Sequence, residues 1–340
     1  MLIPGRSYLA FRDAFRRGDG DTVLGTGQPV LDELGADERQ AGLVPAVLLM
    51  VGATLARLER YPDACAYLER GLLLLPGTAA TREVGDGDWY ALVLLDLLLA
   101  TGRFRDAWTR IQPLIEPDRS AATRLGATRA QIALYATFGD FETAQQLLNT
   151  AAGLADRVGS NQLAAMVQGD RAIVLAEQGR TVEAAAFADQ VLPQLGRLGP
   201  GPLLAWSGAQ ASTVTTTLAR HAAIHGDLMT AERMLFLASD PAASTGRSFD
   251  AAQLQLARGV VWREAGRSVE AESALLEARH GFLSLRCAPA AALAQREEAR
   301  LAAVKGMSAS ARPLYERARD EFAQLGLTRE VMAIDGILRT

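Results

Sequence analysis

The sequence predicts an all-α protein, an α-solenoid of about eight stacked antiparallel helix hairpins, from two recurrent signals. An alanine returns at intervals of 37 to 47 residues, and a period near 40 is typical of helical repeat arrays. A glycine stands five residues before most of these alanines, where a left-handed backbone conformation would end a helix. The repeat alanines are Ala64, Ala107, Ala144, Ala184, Ala231, Ala271 and Ala311.

Each hairpin is predicted from small residues placed where its two helices would cross. Gly52 and Gly259 stand twelve residues before a repeat alanine, and Gly71 stands seven residues after one. Small residues let two helices approach closely, while leucines such as Leu68 and Leu275 fill the space one turn further on. Because one hairpin cannot bury its own apolar face, we expect the hairpins to stack along the chain.

The two ends of the sequence depart from the repeat, as the capping units of an array do. At the N-terminal end, Gly18 is followed five residues later by Val23, where the repeat alanine would stand. The other end predicts a single final helix. We therefore expect a capping hairpin over 1–44, repeats over 45–198, further repeats over 199–325 and a capping helix over 326–340, with a Gly/Pro-rich break at 196–208.

The repeat unit resembles the tetratricopeptide repeat (TPR) family. Gly139, Phe141 and Ala144 match the core of that family, and Pro76 closes another unit. The resemblance covers 45–325 and implies a right-handed superhelix that binds protein partners. The units here run near 40 residues, whereas the family repeat has about 34. This longer form is similar to the sensor arrays of bacterial transcription regulators.

Composition and charge disfavour several classes of function. The formal net charge of −4 argues against direct nucleic-acid binding, which needs a surplus of basic residues. Lys305 is the single lysine, and its context suits neither a phosphate loop nor a Schiff base. Cys65 and Cys287 follow no metal or redox motif. The most apolar segments are too short to span a membrane, and no signal peptide is evident, so we expect a cytoplasmic protein.

Catalytic and metal-binding patterns are weak. No set of nucleophile, base and orienting residue stands out, so an enzyme that uses the solenoid groove is the least favoured hypothesis. His221 and His225 lie four residues apart, as zinc ligands can on one helical face, but no third ligand is evident. We expect no catalytic residue, no bound metal and no cofactor.

Candidate binding residues follow from the register of the first helix of each hairpin, because these helices line the concave face of such an array. The N-terminal half of this groove is mostly apolar, and Trp89 is placed there for ligand stacking. The C-terminal half of the groove contains Asp170 and several arginines. These arginines could bind a carboxylate, a phosphate or an acidic peptide. A solvated charged face is the alternative. The arginines, which recur at or near matching places, are Arg220, Arg263 and Arg300.

Asp96 is the sharpest single candidate in the apolar half. Its helix is apolar all round, so we expect Asp96 to be buried, where an unpaired carboxylate is costly. One hypothesis pairs Asp96 with Arg129 on the neighbouring first helix. In the other hypothesis, Asp96 binds a ligand cation or a peptide amide.

The leading functional hypothesis is a non-enzymatic scaffold or adaptor that binds a partner peptide or helix in its concave groove. The alternative is a regulatory module that senses a peptide or a small hydrophobic ligand and bends at the break over 196–208. Self-association into a homodimer is also left open, because uncovered apolar terminal hairpins would pair with another copy.

Overall fold

The protein is all-helical over the residues that the computed structural model describes, which are 5–85, 87–195 and 205–339. These residues contain no strand. Apart from the four-residue α5 and the final α18, the helices follow one another as eight helix–turn–helix pairs, which confirms the predicted fold class. The predicted break at 196–208 lies largely outside the described residues. The helices are α1 (Arg6–Arg17), α2 (Gly20–Ala36), α3 (Val44–Arg57), α4 (Tyr61–Leu74), α5 (Thr81–Val84), α6 (Asp88–Thr101), α7 (Phe104–Ile111), α8 (Ala121–Phe138), α9 (Phe141–Val158), α10 (Asn161–Glu177), α11 (Thr181–Leu195), α12 (Ala205–Ile224), α13 (Leu228–Thr245), α14 (Ser248–Glu264), α15 (Ser268–Ser284), α16 (Ala288–Val304), α17 (Ser308–Gln324) and α18 (Thr328–Leu338).

The chain divides into two compact units. The first unit comprises Met1–Thr101 and Arg105–Leu114, and the second comprises Gly102–Phe104 and Ile115–Thr340. The first unit therefore contains α1 to α6, and the second contains α8 to α18. The arginine-bearing half of the predicted groove belongs entirely to the second unit.

The turn inside each hairpin depends on one residue in the left-handed region. Gly139 ends α8 with a φ of 82°, and the equivalent glycines of the later hairpins have similar values. Glu59 stands where that glycine is missing, and it adopts the same conformation with a φ of 59°. Asp140 follows Gly139 and begins α9, because its carboxylate accepts a hydrogen bond from the backbone N–H of Thr143 at 3.1 Å.

Small residues hold the two helices of a hairpin close together, as the sequence predicts. The seven repeat alanines are all buried, with at most 4% of their surface exposed. A Cβ atom added to Gly259 would lie 2.5 Å from Cγ of Leu275, and one added to Gly52 would lie 2.8 Å from Cγ of Leu68. Only glycine fits at these two crossings without a shift of the neighbouring leucine.

The last helix of the second unit returns to the first hairpin of that unit. The guanidinium carbon of Arg329, on α18, lies 5.1 Å from the ring centre of Phe141, on α9. Arg329 also packs against Gly139, where an added Cβ would meet its side chain at 2.8 Å. Because each first helix also contacts the next one, the first helices of the second unit line a shared inner surface.

Substitution of Gly259 by alanine tests the crossing. We expect Gly259→Ala to lower the free energy of unfolding by about 1 to 3 kcal/mol, because the new methyl group overpacks against Leu275. The measurement is urea unfolding followed by helical circular dichroism.

The matched control is Gly153→Ala in α9, where nothing lies within 4 Å of an added Cβ. This substitution should leave stability unchanged or raise it by up to about 1 kcal/mol, because alanine favours helix. Equal losses in both variants would contradict the close crossing at Gly259.

Candidate functional site

The inner surface of the second unit is built from the first helices α8, α10, α12, α14 and α16 together with α18. We call it the first-helix face. Polar side chains on this face reach from one first helix to the next rather than to the second helix of their own hairpin. Its charged members are Arg129, Asp170, Glu177, Arg220, Arg263, Glu264, Arg296, Glu297, Arg300 and Glu330.

Asp170 organises the end of the first-helix face that is nearest α8. The guanidinium group of Arg129 donates to both of its carboxylate oxygens, with Nε at 2.6 Å and Nη2 at 3.1 Å. Gln210 of α12 donates from Nε2 to the same carboxylate at 2.7 Å and to the carbonyl oxygen of Met166 at 2.5 Å. Three helices are thereby joined through one carboxylate, in the bidentate geometry that offsets desolvation best.

Glu297 organises the opposite end of the face and is only 1% exposed. Its carboxylate accepts hydrogen bonds from Arg263 of α14, from Arg296 at 2.7 Å and from Arg300 at 3.0 Å. Burial alone would raise the pKa of this carboxyl, but the three guanidinium groups hold the pKa well below its usual range. Glu297 is therefore ionised and serves as the anion on which three arginines converge.

The arginines around Glu297 have further acid partners. Arg263 donates to Glu264 from Nη2 at 2.6 Å, and Arg296 donates to Glu330 of α18. Arg263 is buried, with 5% of its surface exposed. The cluster thus pairs three arginines with three glutamates, so Arg263 and Arg300, both predicted binding residues, are engaged by protein carboxylates.

Between the two ends of the face, Glu177 of α10 lies beside α12. Its Oε1 is 3.2 Å from Nε2 of His221. Burial raises the pKa of Glu177, but His221 and the nearby guanidinium group of Arg220 outweigh burial and lower the pKa to about 2. Glu177 is therefore a second, half-buried anion on the face.

Arg220 differs from the other arginines of the face. It is half-buried on α12, and burial lowers its pKa, while the charges of Glu177 and Glu297 act on it through space. Yet it makes no hydrogen bond or ion pair with any residue that the structure describes. Arg220 is consequently a guanidinium group with unused donors on a surface where the other arginines are paired.

The first unit contains the other two predicted site residues. Asp96 is exposed on α6, so the expectation that it would be buried is wrong. Leu92, Asp96 and Leu99 share one face of α6, and that face is less covered than the opposite face with Leu94 and Leu98. An all-apolar helix therefore does not imply burial on every side.

Three further predictions that involve residues of the first unit remain open. Arg129 pairs with Asp170, and the additional pairing of Arg129 with Asp96 stays a prediction. Trp89 is half-buried, with its ring centroid 4.7 Å from that of Tyr90 in an edge-to-face contact. A ligand on Trp89, and a hydrophobic ligand in the apolar half of the groove, also stay predictions.

Sequence reasoning missed Glu177, His221 and Glu330 as members of the face. A usable signal existed for Glu177, because it stands seven residues before Ala184, as Glu264 stands seven before Ala271. Glu330 lies in the final helix, outside the repeat, so no register could place it.

Within the described residues, no group of three or more His, Cys, Asp or Glu side chains is arranged to hold a metal ion. None of the described helices is both long and apolar enough to cross a membrane.

The fold is similar to that of two solved structures. One is a Rap protein complexed with competence and sporulation factor, with a TM-score of 0.64, 11% identity, and coverage of 94% of this chain and 97% of that one. The other is the Rap conjugation gene regulator of the plasmid pLS20 in complex with the Phr* peptide, with a TM-score of 0.62, 12% identity, and 95% coverage of both chains. No protein-family model matches the sequence, and no curated protein matches it.

At such low identity the likeness establishes the fold. The chain has a TPR-like helical repeat fold, which agrees with the resemblance that the repeat unit indicates.

Substitution of Glu297 by glutamine tests the charged cluster. We expect Glu297→Gln to lower the free energy of unfolding by about 3 kcal/mol at neutral pH, because three arginines lose their shared anion. The folded pKa of Glu297 is depressed, so its contribution is complete above the ordinary glutamate pKa of about 4.3 and is lost as the pH falls toward the folded value. The difference between wild type and variant should therefore shrink below about pH 4.

Unfolding by urea from neutral to acidic pH provides the measurement. Glu316→Gln on α17 is the control, because Glu316 forms an exposed pair with Arg312 at 3.1 Å and should cost less than about 1 kcal/mol. A Glu297→Gln deficit that stays constant across the acid range would contradict the depressed pKa.

Proposed function

We propose that this protein is a non-enzymatic binding module that holds an extended peptide on its first-helix face. The observation that carries the proposal is the presence of unsatisfied polar groups of both kinds on a surface where most charged side chains are paired. Oε1 of Gln210 is a buried acceptor with no hydrogen-bond partner among the described residues, and Arg220 is a donor with none. A peptide offers both the N–H donors and the oxygen acceptors that such groups lack.

The rigidity of the face supports a peptide ligand. Arg129, Gln210 and Arg263 are each held by hydrogen bonds to a neighbouring first helix. Side chains that are already fixed lose little rotamer entropy when a ligand binds, which favours affinity for a flexible chain. Helical repeat arrays also present extended concave surfaces, to which an extended ligand is better matched than a compact one.

The two similar structures provide independent support. One is in complex with competence and sporulation factor, and the other, a conjugation gene regulator, is in complex with the Phr* peptide. By this analogy we propose a regulatory role, in which the bound peptide changes how this chain interacts with a further protein. The analogy rests on the fold, whereas the unsatisfied groups belong to this sequence.

A steric block of the face tests the proposal. The purified protein is incubated with a synthetic pool of short peptides of random sequence, separated by gel filtration, and the retained peptides are identified by mass spectrometry. We expect the wild type to retain a defined subset, and Gln253→Trp to weaken their binding by about tenfold or more, because the indole fills the space beside Thr216 on the face. Gln253 accepts a hydrogen bond from Thr216 at 3.2 Å, which places it between α14 and α12.

Gln255→Trp is the matched control on the same helix. Gln255 donates to Glu277 of α15 at 2.6 Å, so it points toward the second helix of its hairpin and away from the face. This variant should retain the same peptides as the wild type. Retention of no peptide by the wild type, or equal retention by Gln253→Trp, would overturn the proposal.

A further inference from the structure

Two arginines of the first-helix face occupy the same register position but have different surroundings. Arg220 stands eleven residues before the repeat alanine Ala231, and Arg300 stands eleven residues before Ala311. Three residues earlier, one turn back on the same helix, the sequence has Thr217 in α12 and Glu297 in α16. The two helices thus present the same cation, but only α16 supplies the carboxylate for it.

The contacts follow this difference. Arg300 donates from Nη1 to Glu297 at 3.0 Å, within its own helix. Thr217 cannot provide an anion, and Arg220 has no hydrogen bond or ion pair with any described residue. Its guanidinium group therefore stays without the partner that its counterpart has.

The acids nearest to Arg220 already have other partners. Glu177 faces His221, Glu297 is shared by three arginines, and Glu330 accepts from Arg296. A half-buried guanidinium group without a partner is unfavourable, because it loses hydration and gains no hydrogen bond in return. Burial accordingly lowers the pKa of Arg220.

We propose that Arg220 is the anchor for a single carboxylate of the ligand, either the C-terminus of the peptide or an acidic side chain. The planar fork of a guanidinium group matches a carboxylate in two parallel hydrogen bonds, and the group bears one open positive charge. This inference rests on the proposed function and adds the chemistry that the site selects.

The surrounding charges favour a carboxylate over a phosphate. Glu177, Glu297 and Glu330 act on Arg220 through space and Arg296 opposes them, so the three acids outnumber the one arginine and would repel a second negative charge on the ligand. A phosphate group carries nearly two charges at neutral pH and is best held by several open arginines. Arg263 and Arg300 are engaged by Glu297, and Arg329 stacks on the ring of Phe141, so among the described residues of this face Arg220 is left as a single open guanidinium group.

N-acetylglycine is the probe that tests the anchor without a peptide. It carries one carboxylate and no other charge, and it is compared with inorganic phosphate and chloride at matched ionic strength. We expect N-acetylglycine to raise the Tm of the wild type above its value in chloride, and phosphate to raise it no further than chloride does. The rise should vanish in Arg220→Gln and be partly kept in Arg220→Lys, which retains the charge but not the fork. Arg312→Gln, on the exposed side of α17, should respond as the wild type does.

A second pair of variants supplies the missing carboxylate from the protein itself. Thr217→Glu reproduces in α12 the arrangement of Glu297 and Arg300, so the new carboxylate should occupy Arg220 and abolish the response to N-acetylglycine. Thr217→Gln has nearly the same size without the charge and should keep the response. Equal loss in both variants would show a steric effect and would count against the anchor.

The peptide experiment separates this inference from the proposed function. Peptides retained by the wild type are synthesised again with a C-terminal amide and with acidic side chains replaced by amides, singly and together. We expect one of these changes to weaken binding by about tenfold or more in the wild type and to have no effect in Arg220→Gln. If the fully amidated peptides bind as well as the originals, the anchor is wrong while the peptide site stands. A face that retains no peptide but still binds N-acetylglycine at Arg220 would overturn the proposed function alone.

Discussion

Close packing of two helices around a small residue is the constraint on which the seven hairpins with a repeat alanine depend. Gly259 illustrates it, because a single added carbon would lie 2.5 Å from Cγ of Leu275. The buried repeat alanines impose the same limit throughout the array. Close hairpins expose a long apolar surface that no hairpin can cover alone, so stacking becomes the only way to bury it. The order of the array follows from this geometry.

Stacking also explains the charged face. When hairpins stack, their first helices lie side by side, and the polar groups between them must satisfy one another because water is largely excluded there. Arg129 with Asp170, and Arg263 with Glu297, meet this requirement between neighbouring helices. Arg220 does not meet it with any residue that the structure describes, which is why we propose Arg220 as a contact for a ligand.

Much of the fold can be predicted from the sequence because the repeated positions hold residues with strong local conformational or packing preferences. The glycines end helices, and the alanines lie where two helices cross. Both can be recognised in the sequence without knowledge of the tertiary structure. Glu59 shows the limit of the local rule, since it adopts the left-handed conformation without being glycine. The turn at Glu59 keeps the backbone hydrogen bonds of the glycine turns, from Glu59 to Ala56 and from Arg60 to Leu55, so glycine favours this turn but is not required for it.

The site could be predicted less completely than the fold. Register identifies which residues face inward, and the inward placement of Asp170 and Arg220 follows from it. The partners of these side chains depend on which helices of the second unit pack together. The contact of Arg329 with Phe141, for example, joins residues from opposite ends of that unit, and no local sequence pattern predicts it. Asp96 shows a different limit of prediction. The apolar composition of its helix does not tell which sides of that helix other helices cover, and Asp96 lies on an exposed side.

A ligand carboxylate that binds Arg220, as we propose, should leave the paired arginines undisturbed. The most direct measurement is the side-chain Nε–H spectrum of arginine-labelled protein by NMR, recorded with and without a retained peptide and assigned by single substitutions. We predict a shift of the Nε–H signal and slower proton exchange for Arg220 on binding, with little change for Arg263 and Arg300. Changes confined to Arg263 and Arg300, or no change at Arg220, would contradict it.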